Sequence, residues 1–163
     1  MEAREFSYEV RRLRDDELPW LAMTLEERWG RTVVSRGVVH DPASLPALVC
    51  VKQGERAGVA TYDVRGDECE LVTIDAFKPG RGAGTALLGA VAAAARAAGC
   101  RRLWLITTND NLRALRFYQR RGMALAALHR GALAESRRLK PSIPELGADG
   151  IPLRDELELE LLL

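Results

Sequence analysis

Ten residues constrain the fold of this chain more than any others. They are Pro79-Gly80-Arg81-Gly82-Ala83-Gly84-Thr85-Ala86-Leu87-Leu88, set between a β-like run, Glu68 to Phe77, and an alanine-rich helical run that ends at Gly99. Three glycines close together let the backbone approach a ligand and reach dihedrals closed to other residues. A helix that starts here offers unpaired N–H groups and the positive end of its dipole, so the stretch reads as a phosphate cradle, with Arg81 adding a fixed charge. A bare tight turn would use the same residues, and the stretch needs support from elsewhere. Two nucleotide patterns fail: a Walker loop requires Gly-Lys-Ser/Thr where the chain has Gly84-Thr85, and the dinucleotide fingerprint requires a glycine where Thr85 stands and an acid where Arg101 and Arg102 stand.

The pattern on either side gives a mixed sheet. Tyr8 to Leu13 alternates as a strand, and Asp15 or Asp16 can cap a helix through Trp20 and Leu25 to Gly30, with Pro19 in its first turn. Arg31 to His40 is strand-like. Ala47 to Lys52, Arg56 to Val64 and Glu68 to Phe77 are joined by Gln53-Gly54 and Gly66-Asp67, which predicts an antiparallel meander. From Gly82 to Ala98 the helix is apolar almost all round and is expected to be buried on most sides. It leads into Arg102 to Thr107, making a right-handed crossover between parallel strands with the glycine loop at a strand's C-terminal end. Thr107 to Asn111 is dense in capping residues and starts a helix, Leu112 to Arg121, that Gly122 ends. Met123 to Arg130 is β-like, Ala132 to Leu139 a short helix, and Lys140 to Pro152 a proline-rich loop. In the last strand Leu157, Leu159 and Leu161 alternate with Glu156, Glu158 and Glu160, which reads as a half-buried strand with a solvated acidic face, attraction of a cationic amine by these glutamates being the alternative.

Composition excludes several function classes. Lys and Arg number 24 against 23 Asp and Glu, a net charge of +1, which favours neither nucleic acid nor an anionic membrane. Cys50, Cys69 and Cys100 are odd in number and widely spaced, so neither a disulfide framework nor a metal site is expected. The first residues, Met1 to Glu5, carry no apolar leader, and the longest uncharged stretch is too short to span a bilayer, so a cytoplasmic protein is expected.

The glycine loop gains its support from Asn111-x-x-Ala114-x-x-Phe117-Tyr118-x-x-x-Gly122. The two stretches together resemble the GCN5-related N-acetyltransferases, and the order of elements from Tyr8 to Arg130 is similar to theirs. The tail from Lys140 to Leu159 resembles that of a group of poorly characterised bacterial members. The resemblance implies an α/β (α+β) fold with a mixed, mostly antiparallel, splayed sheet flanked by helices, residues 1–163 forming one such domain. It also implies acetyl-CoA as acyl donor. Its pyrophosphate-binding loop falls on Pro79 to Gly84, with Gly80, Arg81, Gly82, Ala83, Gly84 and Thr85 expected around the cofactor. Pro79 departs from the family's Gln or Arg and removes one donor N–H. The resemblance further assigns the pantetheine amides to the backbone of Ile74, Asp75 and Ala76, a cofactor contact to Asn111, and the general acid to Tyr118.

Elementary geometry accommodates these roles. Asn111 and Tyr118 lie seven apart, on one face of a helix and about 10 Å along it. Read singly, Asn111 is a helix cap and Tyr118 a core residue; the joint pattern favours the cofactor. Transfer needs a base. Glu68 and Glu70 alternate onto one strand face with Asp75 on the other, and Glu70, in mid-strand, is the preferred candidate. The acceptor pocket is expected near Trp29 and His40, with Lys140 to Pro152 within reach, whereas His129 reads as a surface residue. The leading function is N-acetyltransfer to a primary amine of a small molecule or peptide by direct attack in a ternary complex; a non-catalytic acyl-CoA-binding module is the alternative, and a homodimer stays open.

Overall fold

The computed structural model describes residues 7–163, so the reading of Met1 to Glu5 lies outside the described residues. Nine strands and four α-helices follow in the order β1 (Glu9–Arg12), α1 (Leu18–Trp29), β2 (Val33–Ser35), β3 (Val38–His40), β4 (Ala47–Lys52), β5 (Glu55–Arg65), β6 (Glu68–Ala76), α2 (Ala83–Ala97), β7 (Arg102–Thr108), α3 (Leu112–Arg120), β8 (Ala124–His129), α4 (Ala132–Leu139) and β9 (Glu156–Leu162). Seven strands form one sheet in the order β1-β4-β5-β6-β7-β9-β8, while β2 and β3 make a separate hairpin. Every pair in the sheet is antiparallel except β6 with β7. This is the mixed, mostly antiparallel sheet expected.

Two cores hold the layers together. On one face α2 and α3 pack Leu87, Val91, Ala95 and Tyr118 against Tyr62, Leu71, Leu103, Leu105 and Leu159. On the other, Leu21 and Leu25 of α1 cover Val49 and Val59. The helix α2 buries one face only: Thr85, Gly89, Ala93, Arg96 and Ala97 are exposed. Alanine and glycine suit both a packed face and a wet one, so its apolar composition overstated its burial. The helix α1 is also entered differently from expectation. Its lead-in is secured by Glu17, which accepts from the Arg14 N–H and binds Arg11 and Arg56, rather than by an Asp15 or Asp16 cap.

A bulge in β6 sets the faces of the site. Thr61 pairs with Thr73 and Tyr62 with Leu71, leaving Val72 as an extra residue. The period-2 count is thereby reset. Leu71 and Ile74 face the α2 core, and Asp75 lies opposite Val59 on the α1 side, the side to which Glu70 also points. The expectation that Glu70 and Asp75 occupy opposite faces is therefore corrected.

The acidic face of β9 is corrected as well. Glu156 and Glu158 are 2% and 5% exposed rather than solvated. They lie beneath the β2–β3 hairpin, whose Arg36 and Gly37 both have positive φ, as a tight two-residue turn requires. Arg102 binds Glu158 and Glu160 at the other end of this face. His129 is no free surface residue, since its Nε2 lies 3.0 Å from Glu158 Oε1. Among the described residues, no helix is long and apolar enough to cross a membrane.

Candidate active site

The site exists because two neighbouring strands part. β6 and β7 pair only over Glu68–Glu70 and Arg102–Trp104, and past Glu70 the β7-facing edge of β6 has no ladder partner. A cleft of about 1000 Å³ opens there and passes through the sheet, touching Ile74 and Leu105 of the α2 side and Glu70, Thr73 and Asp75 of the α1 side.

At one end of the cleft lies the start of α2. Gly82 is its N-cap, with φ 95° and no side chain to cap the first turn, so the amides of Ala83, Gly84 and Thr85 are left for a ligand. Pro79, Gly80, Gly82, Gly84 and Thr85 lie on the wall, whereas Ala83 is buried beneath it and the Arg81 side chain is exposed outside it. Arg81 is held through its backbone, its carbonyl accepting from the Tyr8 hydroxyl at 2.7 Å. Gly84 packs closely against α3: a Cβ there would lie 3.1 Å from the Phe117 ring, which would have to give slightly. Arg121 joins loop to helix, donating to Thr85 Oγ1 at 2.7 Å with its guanidinium 3.8 Å over Phe117. An uncapped helix start flanked by Arg113, Arg116, Arg120 and Arg121 suits the pyrophosphate of a coenzyme A thioester. These arginines were missed in the sequence, although their spacing along α3 is the signal of one basic helix face.

The opposite wall is α3. Asn111 caps it, Oδ1 accepting from the Ala114 N–H at 3.2 Å, and also lines the cleft. Tyr118 is buried edge-to-face against Phe117 at 5.2 Å and also lines the cleft. Burial, reinforced by the negative charge of Asp75, raises the phenol's pKa well above its ordinary value, so it keeps its proton at neutral pH.

Carboxyl groups occupy the α1 side. Glu70 is 7% exposed, and burial raises its pKa to about 7 despite the favourable nearness of the Ser35 hydroxyl. His40 Nε2 lies 3.3 Å from Glu70 Oε2. Burial lowers the pKa of His40, so the ring is neutral near pH 7, and its Nε2 makes no aligned hydrogen bond. His40 backs Glu70 and is not on the cleft wall, which corrects its expected place in the acceptor pocket. Burial likewise raises Asp75, which Trp29 Nε1 binds at 2.7 Å and Arg28 approaches to 3.7 Å. Trp29 is on the wall, joined by Val33, Val34 and Ser35 of the hairpin, Leu133 and Ser136 of α4, and Ile143 of the proline-rich loop.

That loop is tied down from both sides. Asn109 Oδ1 accepts from the Arg154 and Asp155 amides, and Asp110 Oδ2 accepts from Ala148 N–H at 2.8 Å. Lys140 Nζ donates to the Trp29 and Thr32 carbonyls at 2.7 and 2.6 Å.

A sheet parted between two parallel strands, with an uncapped helix start beside the opening, is the architecture of acetyl-CoA-dependent acyltransferases. The chain belongs to the acetyltransferase (GNAT) family, which it matches over residues 5–123. It is 46% identical over 134 residues to the uncharacterised protein YdhI of Bacillus subtilis, strain 168, an alignment covering 80% of this chain and 83% of YdhI. YxbD of the same strain, also uncharacterised, is 37% identical over 136 residues, covering 82% of this chain and 86% of YxbD. Among solved structures, a GNAT family acetyltransferase from Elizabethkingia anophelis with acetyl-CoA bound superposes with a TM-score of 0.72 at 17% identity, covering 96% of this chain and 98% of that one.

Proposed function

We propose that the protein moves the acetyl group of acetyl-CoA to a primary amine by direct attack in a ternary complex. One observation carries this reading: two titratable groups on the walls of one cleft are poised for opposite tasks, Glu70 near neutrality and Tyr118 firmly protonated. The first turn of α2 holds the pyrophosphate, and the pantetheine arm runs along the unpaired edge of β6 from Ile74 to Ala76, beside Asn111 and Ala114. The amine enters between Trp29 and the β2–β3 hairpin. Glu70 takes the ammonium proton, and the neutral nitrogen attacks the thioester carbonyl. Negative charge on the carbonyl oxygen falls to a backbone N–H on the open edge of β6. As the C–N bond forms and the C–S bond breaks, the sulfur takes the Tyr118 proton; the nitrogen sheds its second proton to solvent, from which the phenol is restored. A covalent enzyme intermediate is not needed, because Cys50 and Cys69 are buried with pKa values raised by burial to about 11 and about 12.

Tyr118→Phe tests the scheme. Acetyl-CoA is expected to raise the melting temperature of both wild type and variant, while kcat in the variant falls roughly 10²-fold with little change in acetyl-CoA affinity. Absence of any thermal shift from acetyl-CoA in the wild type would reject the function, and equal losses in kcat and affinity would reject the acid role.

A further inference from the structure

Glu158 and Glu160 both have cationic partners: Arg102 binds the two, and Arg36 lies 3.3 Å from Glu158. Glu156 differs. It is on the cleft wall and 2% exposed, its Oε2 accepting from the Arg36 N–H and its Oε1 from the Ser136 hydroxyl, each at 3.0 Å. Among the described residues no cation forms an ion pair with it. Ser35, adjacent in sequence to Arg36, is 5% exposed on the same wall, with its hydroxyl beside Glu70. Buried charges are normally paired, so a buried carboxylate on the cleft wall without a cation marks a group kept for a ligand.

The charges of the cleft are sorted in the same sense. The cations on its wall, Arg113, Arg116, Arg120 and Arg121, all come from α3 and its C-cap, while its anions, Glu70, Asp75 and Glu156, come from β6 and β9. Cations near the anionic end are already engaged. Lys140 is spent on two carbonyls, and Arg28 stacks 4.7 Å over Phe77 beside Asp75. An acceptor carrying a carboxylate or phosphate would find no counter-charge there.

We infer that the acceptor is an amine bearing a second protonated nitrogen and no anionic group, its reacting nitrogen at Glu70, its second nitrogen at Glu156, and an apolar spacer against Val33 and Val34. The hairpin joins the two ends, with Ser35 beside Glu70 and the Arg36 amide on Glu156. This inference rests on the transferase reading and narrows its substrate.

Three amines of similar length test it by calorimetric titration into the CoA-loaded protein: n-pentylamine, cadaverine and δ-aminovalerate. Cadaverine is expected to bind roughly tenfold or more tighter than pentylamine, because its second ammonium adds a charge-assisted hydrogen bond, and δ-aminovalerate weaker than either, because its carboxylate meets Glu156. In Glu156→Gln, which can keep both hydrogen bonds of the carboxylate, the cadaverine-to-pentylamine ratio is expected to fall to about one. Cadaverine binding no tighter than pentylamine in the wild type, δ-aminovalerate binding tightest, or a ratio that survives in the variant would each overturn the inference. The wild-type series stands even if the variant does not fold. Failure of CoA itself to bind in the loading titration would count against the transferase reading instead, and the amine ratio, measured on the free protein, would still decide this one.

Discussion

Glu70, the proposed base, carries a cost in stability. Burial raises its pKa from 4.5 to about 7, so the folded state prefers it protonated. The sign follows directly: the penalty is absent below about pH 4.5, grows as pH rises, and is complete above about 7, reaching on the order of 3 kcal/mol. In Glu70→Gln, kcat/KM is expected to drop 10²-fold or more, and the activity limb near pH 7 is expected to vanish. The variant should also melt higher than wild type at pH 8 and show no such gain at pH 4, which thermal unfolding at the two values checks. A retained limb near pH 7 would assign the base elsewhere. Glu70 was legible in the sequence as a carboxylate in mid-strand, where a merely solvated charge is less expected. The face of Asp75 was not, because the bulge at Val72 leaves no mark in residue types. Glu156 was misread for a related reason: alternating Glu and Leu look the same whether the polar side meets water or a covering hairpin.

Among the elements, the one that opens the cleft is the far end of β6, and its position depends on how closely β5 approaches it. Gly58 stands opposite Ala76, and a Cβ at Gly58 would lie 2.4 Å from the Asp75 carbonyl oxygen and 3.0 Å from Leu87. The first of these is backbone within a ladder and cannot swing away, so Gly58→Ala must displace the strand. A loss of roughly 1–3 kcal/mol is expected from the overpacking, seen as a lower denaturation midpoint. Affinity for acetyl-CoA should fall with it, since the shifted strand is the proposed pantetheine edge. An unchanged midpoint would show that β6 yields without strain. The meander, the crossover and both flanking helices were legible from glycine turns and periodicity, because those signals are local. The β2–β3 hairpin emerged only as a strand-like segment. Its strands span three residues each, too few for a period to declare itself.

Across the whole molecule, the segment following α4 closes the proposed acceptor side, although it holds little regular structure. Asn109 and Asp110, just past β7, gather its backbone, and Gly147 is needed there because a Cβ would lie 2.1 Å from Asp110 Oδ2. Lys140 extends the tie to the other side of the cleft. Its ammonium serves the carbonyl at the end of α1 and that of Thr32 just before β2, fastening Trp29 and the hairpin to α4. The sequence offered only prolines and glycines here, which signal irregular backbone without saying what it grips. Lys140→Met keeps much of the stem and removes the donor, leaving both carbonyls short of a partner. About 1–3 kcal/mol of stability is at stake, a fall of several degrees in melting temperature for a chain of this size. Because the tie supports Trp29 and the hairpin and does not touch the start of α2, KM for the amine should rise several-fold while KM for acetyl-CoA stays within a factor of about two. Steady-state kinetics with each substrate varied in turn would separate these outcomes. A parallel rise in both constants would mean that Lys140 holds the fold as a whole and has no particular part in shaping the acceptor side.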